Sequence, residues 1–257
     1  MVIGRSKGNV PGDHDPAERE SNQKGGMMDP IKDSGRTKAQ FSAQSHEPIR
    51  FAGSMLHRYR HVCAFFSSPK EEYETLLPFV RDGLECGERA YHVLPAKYRE
   101  EHIDRLRSAG VDVTEAQRSR QLEVASPEET YLRRGRFNKD DMLALIQEAL
   151  KAGVALGFPL TRMVAHAETA LEDWSSVNDW IEYEARLNEV LPYYADPVIC
   201  TYDANLLTTP LAIDILRTHP VAIIGGILHE NPFFVQPEIF LGELVGRRRE
   251  PTKAYRA

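Results

Sequence analysis

The chain has 257 residues, is 42% hydrophobic and 27% charged, and carries a formal net charge of −6. These values exclude collagen-like, wholly disordered and disulfide-scaffold classes and fit a globular protein of one large or two small domains. No apolar run reaches the ~20 residues of a membrane-spanning helix. The first 30 residues hold no signal-like apolar region. Cys63, Cys86 and Cys200 show no CxxC spacing, so a reducing, cytoplasmic setting is expected.

Residues 1–46 contain a single aromatic, Phe41, among Gly, Ser, Asp, Lys and Gln. So little apolar surface cannot offset ordering entropy, and a disordered arm is expected. Met27 and Met28 lie inside it, so a translation start there and a regulatory arm are both open readings. The end, 246–257 (GRRREPTKAYRA), carries five Lys/Arg against one Glu and reads as a flexible basic tail. The arm is net +1 and the tail +4, which leaves the body, 47–245, at −11. A body that acidic is a poor nonspecific partner for nucleic acid.

Within the body, His61–Phe66 is a short apolar run suited to a buried strand. Ser68, Pro69 and Glu71 follow as N-cap, N1 and N3 of a helix whose apolar positions run from Tyr73 to Leu84. Gly87 closes it, and Pro78 inside it predicts a kink. Ala90–Leu94 reads as a strand, Tyr98–Ala109 as a helix, and Leu122–Ala125 as a strand. A loop through Gly135 leads to a helix over Lys139–Leu156, then a strand over Arg162–Glu168. A helix over Val177–Leu191, a strand over Val198–Tyr202, a helix over Pro210–Arg217 and a strand over Val221–Ile224 complete the series. This rhythm implies βαβ units: an α/β fold of three layers, a mainly parallel sheet with helices on both faces. Ligands in such sheets gather outside the carboxyl ends of the strands.

The first strand–loop–helix invites a nucleotide-binding reading. Its loop, Ser67-Ser68-Pro69, has neither GxxxxGK[ST] nor GxGxxG. Glu71, Glu72 and Glu74 place carboxylates at the positive end of the helix dipole, where they repel phosphate. A functional phosphate loop is therefore absent.

Several polar residues sit in apolar or strand-end positions. In Ser176–Leu191, Glu184 lies at the centre of the stripe Val177, Trp180, Ile181, Leu187 and Leu191, and Asn188 is one turn on. They form either a satisfied structural pair or part of a pocket wall. His166 and Glu168 share a face at the end of the fourth strand, as an acid–base pair or a structural hydrogen bond. Asp203 leaves the fifth strand as a ligand contact or a turn cap. Gly225-Gly226 calls for special backbone geometry. His229, Glu230 and Asn231 beside Phe233 and Phe234 suit a small-ligand pocket, or a strap whose rings pack on the core. His61 and Cys63 share a strand face, but two soft ligands are too few for a metal site and no HExxH or CxxC adds to them. No metal and no cofactor are expected. The absence of GxSxG leaves a hydrolase triad without an anchor.

The segments HVCAFFSSPKEEYETLLPFVRDGLECGERAYHV, QLEV, EETYLRRGRFNKDDMLALI, IEYEARLNEVLP, DILRTHPVAIIGG and HENPFF occur in this order. Together they resemble the MEDS family, the methanogen/methylotroph sensory domain first described in a dichloromethane-responsive regulator. The resemblance spans roughly His57 to Pro237. It implies a RecA/KaiC-like fold that has lost its phosphate loop, and a role in sensing small molecules in signalling and transcription control. The family's recurring polar positions fall on His61, Glu168, Glu182, Glu184, Asn188, His229, Glu230 and Asn231. Where relatives often carry an acidic residue and Met before the strand-four Glu, this chain has His166-Ala167, which implies a different ligand preference if that strand lines the pocket.

The expectation is a non-enzymatic cytoplasmic sensory domain that binds a small, partly apolar ligand. Its candidate ligand residues are His61, Cys63, His166, Glu168, Glu184, Asn188, Asp203, His229, Glu230 and Asn231. With 20 residues after Pro237, output is expected through a partner, a histidine kinase or transcription regulator, or through homo-oligomerisation. Direct contact with nucleic acid or membrane is not expected. The alternatives are a nucleotide-binding or ATPase-like RecA-fold enzyme and a ligand-free protein-interaction module.

Overall fold

The computed structural model describes residues 47–167, 171 and 176–249. The expected arm, Glu168 and the residues from 250 onward lie outside the described residues. Seven strands form one sheet in the order β5-β4-β6-β7-β3-β8-β9. They are β3 (His61–Phe66), β4 (Arg89–Val93), β5 (Leu122–Ala125), β6 (Thr161–His166), β7 (Val198–Asp203), β8 (Val221–Ile224) and β9 (Ile227–Glu230). All pairings are parallel except β8 with β9. A two-stranded ribbon, β1 (Ile49–Phe51) and β2 (Ser54–Leu56), precedes them. It joins the sheet edge where the Leu228 N–H donates to the Ala52 carbonyl at 3.0 Å.

Alternation along the strands sorts side chains into two cores, one on each face. Val62, Ala64, Phe66, Ala90, Val164 and Ile199 meet α1 (Pro69–Glu85), α2 (Arg99–Ser108), α3 (Val113–Arg118) and the ribbon. Cys63, Tyr91, Met163, Ala165, Cys200 and Tyr202 meet α4 (Lys139–Ala155), α5 (Val177–Val190), α6 (Thr209–Thr218) and α7 (Pro237–Arg249). The architecture is the three-layer α/β arrangement the strand–helix rhythm predicts. On the second face, Trp180 of α5 is fully buried among Tyr131, Phe137 and Tyr183, with ring centroids 5.1–5.9 Å from its own.

The expected elements appear with small shifts of their ends, and five were not anticipated. The first two are the strands of the β1–β2 ribbon. The third is α3, six residues capped by Asp112, whose carboxylate accepts from the Glu115 N–H at 3.0 Å. The fourth is β9, turned back on β8 by Gly225 (φ +59°) and Gly226 (φ +72°). Two successive residues at positive φ are the turn a tight hairpin requires, which accounts for the glycine pair. α1 is one continuous helix with Pro78 on its exposed side. β6 stops at His166, short of the Glu168 end expected. The fifth is α7, which starts at Pro237 and runs past the expected Val245 boundary to Arg249. Arg247 bonds to the Asp214 carboxylate of α6, so the start of the basic segment is docked, not frayed. Among the described residues, no helix is long and apolar enough to cross a membrane.

Candidate functional site

The loop after β3 behaves as its residues predict. The Ser68 hydroxyl caps α1 by accepting from the Glu71 N–H at 3.3 Å. The Glu71 carboxylate reaches back to the Ser67 N–H at 2.8 Å. Asn205 donates to the Ser67 carbonyl at 3.0 Å. The chain's own side chains thus occupy the Ser67 and Glu71 N–H groups, donors of the kind a phosphate-binding turn offers its ligand.

The stripe on α5 delivers Glu184 into the second core, where it is 0% exposed. A carboxylate there must be bonded on every side. Its Oε1 accepts from the Tyr202 hydroxyl at 2.7 Å, and that hydroxyl accepts from Trp180 Nε1 at 3.3 Å. Its Oε2 faces His61 Nε2 at 3.1 Å, His219 Nε2 at 3.5 Å and Cys200 Sγ at 3.6 Å. The rings of His61 and His219 lie 4.0 Å apart, centroid to centroid. One donor atom from each of His61, Glu184, Cys200 and His219 falls within 4.8 Å of the others, a set that could hold a metal ion.

Each imidazole is oriented from behind. The Asn188 amide nitrogen donates to the carbonyls of Glu184, Ala185 and Thr218 at 3.0, 3.3 and 2.7 Å. That fixes the amide, so its Oδ1 accepts from His61 Nδ1 at 3.0 Å. His219 Nδ1 donates to the Ile215 carbonyl at 2.8 Å. Both rings therefore carry their proton on Nδ1 when neutral and turn a bare Nε2 inward. Burial lowers the His61 pKa, His219 beside it lowers it further, and Glu184 only partly offsets this. Burial pushes the Glu184 carboxyl up, but His219 and His61 together outweigh it and hold the group well below the usual carboxylate range. Burial, then the Glu184 charge, push the Cys200 thiol well up.

A second imidazole cluster sits on the other face, near the carboxyl ends of β4 and β6. His92 Nδ1 and His102 Nε2 are 2.8 Å apart, and His102 Nδ1 lies 3.2 Å from the Tyr73 hydroxyl. His166 Nε2 lies 3.3 Å from Glu72 Oε1. With Leu76, Leu77, Val80, Leu94, Leu106 and Val164, these residues wall a small cavity of ≈ 20 Å³ under the first turns of α1. That space matches about one water molecule. His92 Nε2 is buried there with no hydrogen-bond partner among the described residues. Burial lowers the pKa of His102, with Arg105 adding to it, and that of His166, with His102 adding to it, to about 4 each.

The residues singled out in the sequence therefore divide. His61, Glu184 and Asn188 meet in one cluster. Cys63 lies beside it in register with Cys200, but its thiol donates to the Val221 carbonyl at 3.7 Å. His166 joins the other cavity. Asp203 caps the short turn after β7 by accepting from the Asn205 N–H at 2.9 Å. His229 and Glu230 are exposed on the edge strand β9. Asn231 donates to the Leu216 and His219 carbonyls at 2.6 and 2.7 Å, and so fixes the backbone behind His219. Phe233 is exposed and Phe234 half-buried, so the aromatic pair forms neither wall nor strap. Sequence reasoning missed Cys200, Tyr202, His219, His92 and His102. Alternation along Val198–Tyr202 does put Cys200 and Tyr202 on one face. Nothing local aligns that face with His61, or brings in the turn at His219.

Fold and site together define a three-layer α/β domain with a carboxylate–imidazole–thiol cluster beneath its central strands. Residues 60–220 match the family described as MEDS, the MEthanogen/methylotroph, DcmR Sensory domain. The chain belongs to that family of sensory domains. It is 26% identical over 181 residues to the "Transcriptional repressor DcmR" of Methylorubrum extorquens, an alignment covering 69% of this chain. The chain spans 64% of that relative's length. Among solved structures it is similar to a KaiC-like protein of Pyrococcus horikoshii, with TM-score 0.46 and 16% identity, covering 63% of this chain and 69% of the other.

Proposed function

We propose that this chain is a non-enzymatic cytoplasmic sensor whose small, partly apolar ligand enters the cavity walled by Tyr73, His92, His102 and His166. The observation that carries the reading is that cavity. Its walls are mostly apolar, its polar groups are three imidazoles, the Tyr73 hydroxyl and the Glu72 carboxylate, and one polar atom, His92 Nε2, has no hydrogen-bond partner among the described residues. It lies near the carboxyl ends of β4 and β6, where open α/β sheets take ligands. A ligand larger than water must push α1 outward or repack Tyr73. Binding thus favours a different seating of α1, and a conformational preference of that kind is a signal. A partner protein in signal transduction or transcription control would read it. The nucleotide-enzyme alternative is not favoured, because the Glu71 carboxylate holds the Ser67 N–H.

The test is a thermal-shift and calorimetry panel of one- to four-carbon alcohols, amines and halides, with magnesium–ATP beside them. At least one organic compound should raise Tm, since a ligand at 100 times its Kd adds about 2.7 kcal/mol. His102→Leu should abolish the shift. No response to any compound, with a co-purifying partner, would leave the interaction-module reading in its place. Heat on adding magnesium–ATP would restore the nucleotide reading.

A further inference from the structure

We propose that His61, Glu184, Cys200 and His219 form a closed, four-ligand zinc site. It is independent of the ligand cavity, which lies on the opposite face of the sheet.

The argument rests on hydrogen bonds. His61 Nδ1 is committed to Asn188 Oδ1, and His219 Nδ1 to the Ile215 carbonyl. Two bare Nε2 atoms therefore face a carboxylate oxygen, with no proton between them when the rings are neutral. Three acceptors pointed at one another in a dry interior repel, and His219 Nε2 is fully buried with no hydrogen-bond partner among the described residues. A cation at the centre removes the conflict. Two neutral imidazoles, one carboxylate and one thiolate balance Zn²⁺ without leaving net charge in the core.

Four of the six ligand-atom distances lie near those of a zinc site, and all six are within 4.8 Å. Zinc–ligand lengths of 2.0–2.3 Å at tetrahedral angles place neighbouring ligand atoms about 3.3–3.6 Å apart. Here Oε2 of Glu184 lies 3.1, 3.5 and 3.6 Å from His61, His219 and Cys200, and Cys200 Sγ lies 3.8 Å from His61 Nε2. The surroundings also fit a metal centre, where each ligand is held by an outer partner. Asn188 holds His61, the Ile215 carbonyl holds His219, and Tyr202 holds Oε1 of Glu184. A mixed nitrogen, oxygen and sulfur set in this geometry favours zinc. With all four positions filled by protein, the ion ties β3, β7, α5 and the α6–β8 turn together and leaves no place for substrate.

A site this deep fills during folding. The full chain is unfolded with a chelator, then refolded with Zn²⁺, with Co²⁺ or with neither. The expected result is one zinc per chain by elemental analysis and a higher Tm than the metal-free protein. The cobalt form should show tetrahedral d–d bands and a thiolate-to-cobalt charge-transfer band. Cys200→Ser should remove the charge-transfer band, whereas Cys63→Ser, one strand away, should keep it. Folded wild-type protein that takes up no metal and shows no cobalt absorption would overturn the proposal, leaving imidazole–carboxylate pairs alone. So would a charge-transfer band that survives Cys200→Ser. If Cys200→Ser fails to fold, the wild-type stoichiometry and cobalt spectrum decide.

Discussion

Asn188 sits one helical turn after Glu184 on α5 and holds the ring of His61 on β3 by its Nδ1 at 3.0 Å. The same side chain donates to the Thr218 carbonyl at the end of α6. One amide therefore couples a central strand, α5 and the turn that carries His219. Asn188→Ala strips the partner from a buried imidazole N–H and from the Thr218 carbonyl, and leaving such groups unpaired costs about 2–3 kcal/mol in sum. Urea denaturation should show a lower midpoint with an unchanged slope. A loss under about 0.5 kcal/mol, the level of an ordinary surface substitution, would mean that the amide does not hold the three elements together.

Gly83 of α1 is in a helix, where alanine normally gains about 1 kcal/mol. Here a Cβ would lie 2.5 Å from Cδ and Nε of Arg162. Arg162 cannot easily move. It is bound to the Glu88 carboxylate and the Phe79 carbonyl, with its guanidinium 4.6 Å above the Phe79 ring. Overpacking of this kind costs about 1–3 kcal/mol. Gly83→Ala is therefore expected to destabilise by about 1–2 kcal/mol net. With Arg162→Ala already in place, the same change should become neutral or stabilising. Additive effects in that double-mutant cycle would refute the contact as the cause.

Arg89 at the start of β4 is 1% exposed, while its partner Glu123 is 40% exposed by side chain. The guanidinium also donates to the Ala149 carbonyl at 2.9 Å and the Arg120 carbonyl at 3.3 Å. The pair is therefore asymmetric. Arg89→Ala opens a cavity between β4 and α4 and strips the donor from the Ala149 carbonyl, and should cost about 3–5 kcal/mol. Glu123→Gln keeps a neutral acceptor on the guanidinium but takes away its counter-charge, and should cost less, about 1–2 kcal/mol. Equal losses in chemical denaturation would contradict this picture.

The layers of the fold were legible because each rests on a local rule. Strand runs such as His61–Phe66 and Val221–Ile224 are apolar and short, and Ser68-Pro69 announces a helix start. What escaped was short or unsupported by such a rule. α3 is six residues long, and the β1–β2 ribbon has three residues per strand around Ala52-Gly53. α7 lacks an apolar stripe clear enough to separate it from a tail. The candidate site shows the same divide. Glu184 and Asn188 stood out because a stripe on one helix exposes its exceptions. Their partners come from two other strands and a turn, and strand register is a long-range property. His229 and Glu230 looked like pocket residues from composition alone, yet the glycine turn places them on an exposed edge.

The imidazoles around the small cavity set a pH dependence of stability. His102 and His166 titrate at about 4 in the folded chain, and His92 lies well below its ordinary value, chiefly through burial. The unfolded chain takes these protons near pH 6.5. Between about pH 6.5 and 4 the unfolded state therefore binds more protons, and stability falls as pH falls, by up to about 1.4 kcal/mol per unit for each imidazole. Glu72, Tyr73 and Arg105 face these rings. Asp196 opposes the trend: burial raises it to about 6, so its contribution to stability grows on acidification from about 6 to 4. One carboxyl against three imidazoles leaves a net loss. His92 and His102 touch, so their protons bind as a coupled pair. Urea midpoints at pH 7, 6, 5 and 4 should decline in the wild type. His102→Leu should flatten the decline by roughly one proton's slope, and identical slopes in the two proteins would rule out the cavity as its source.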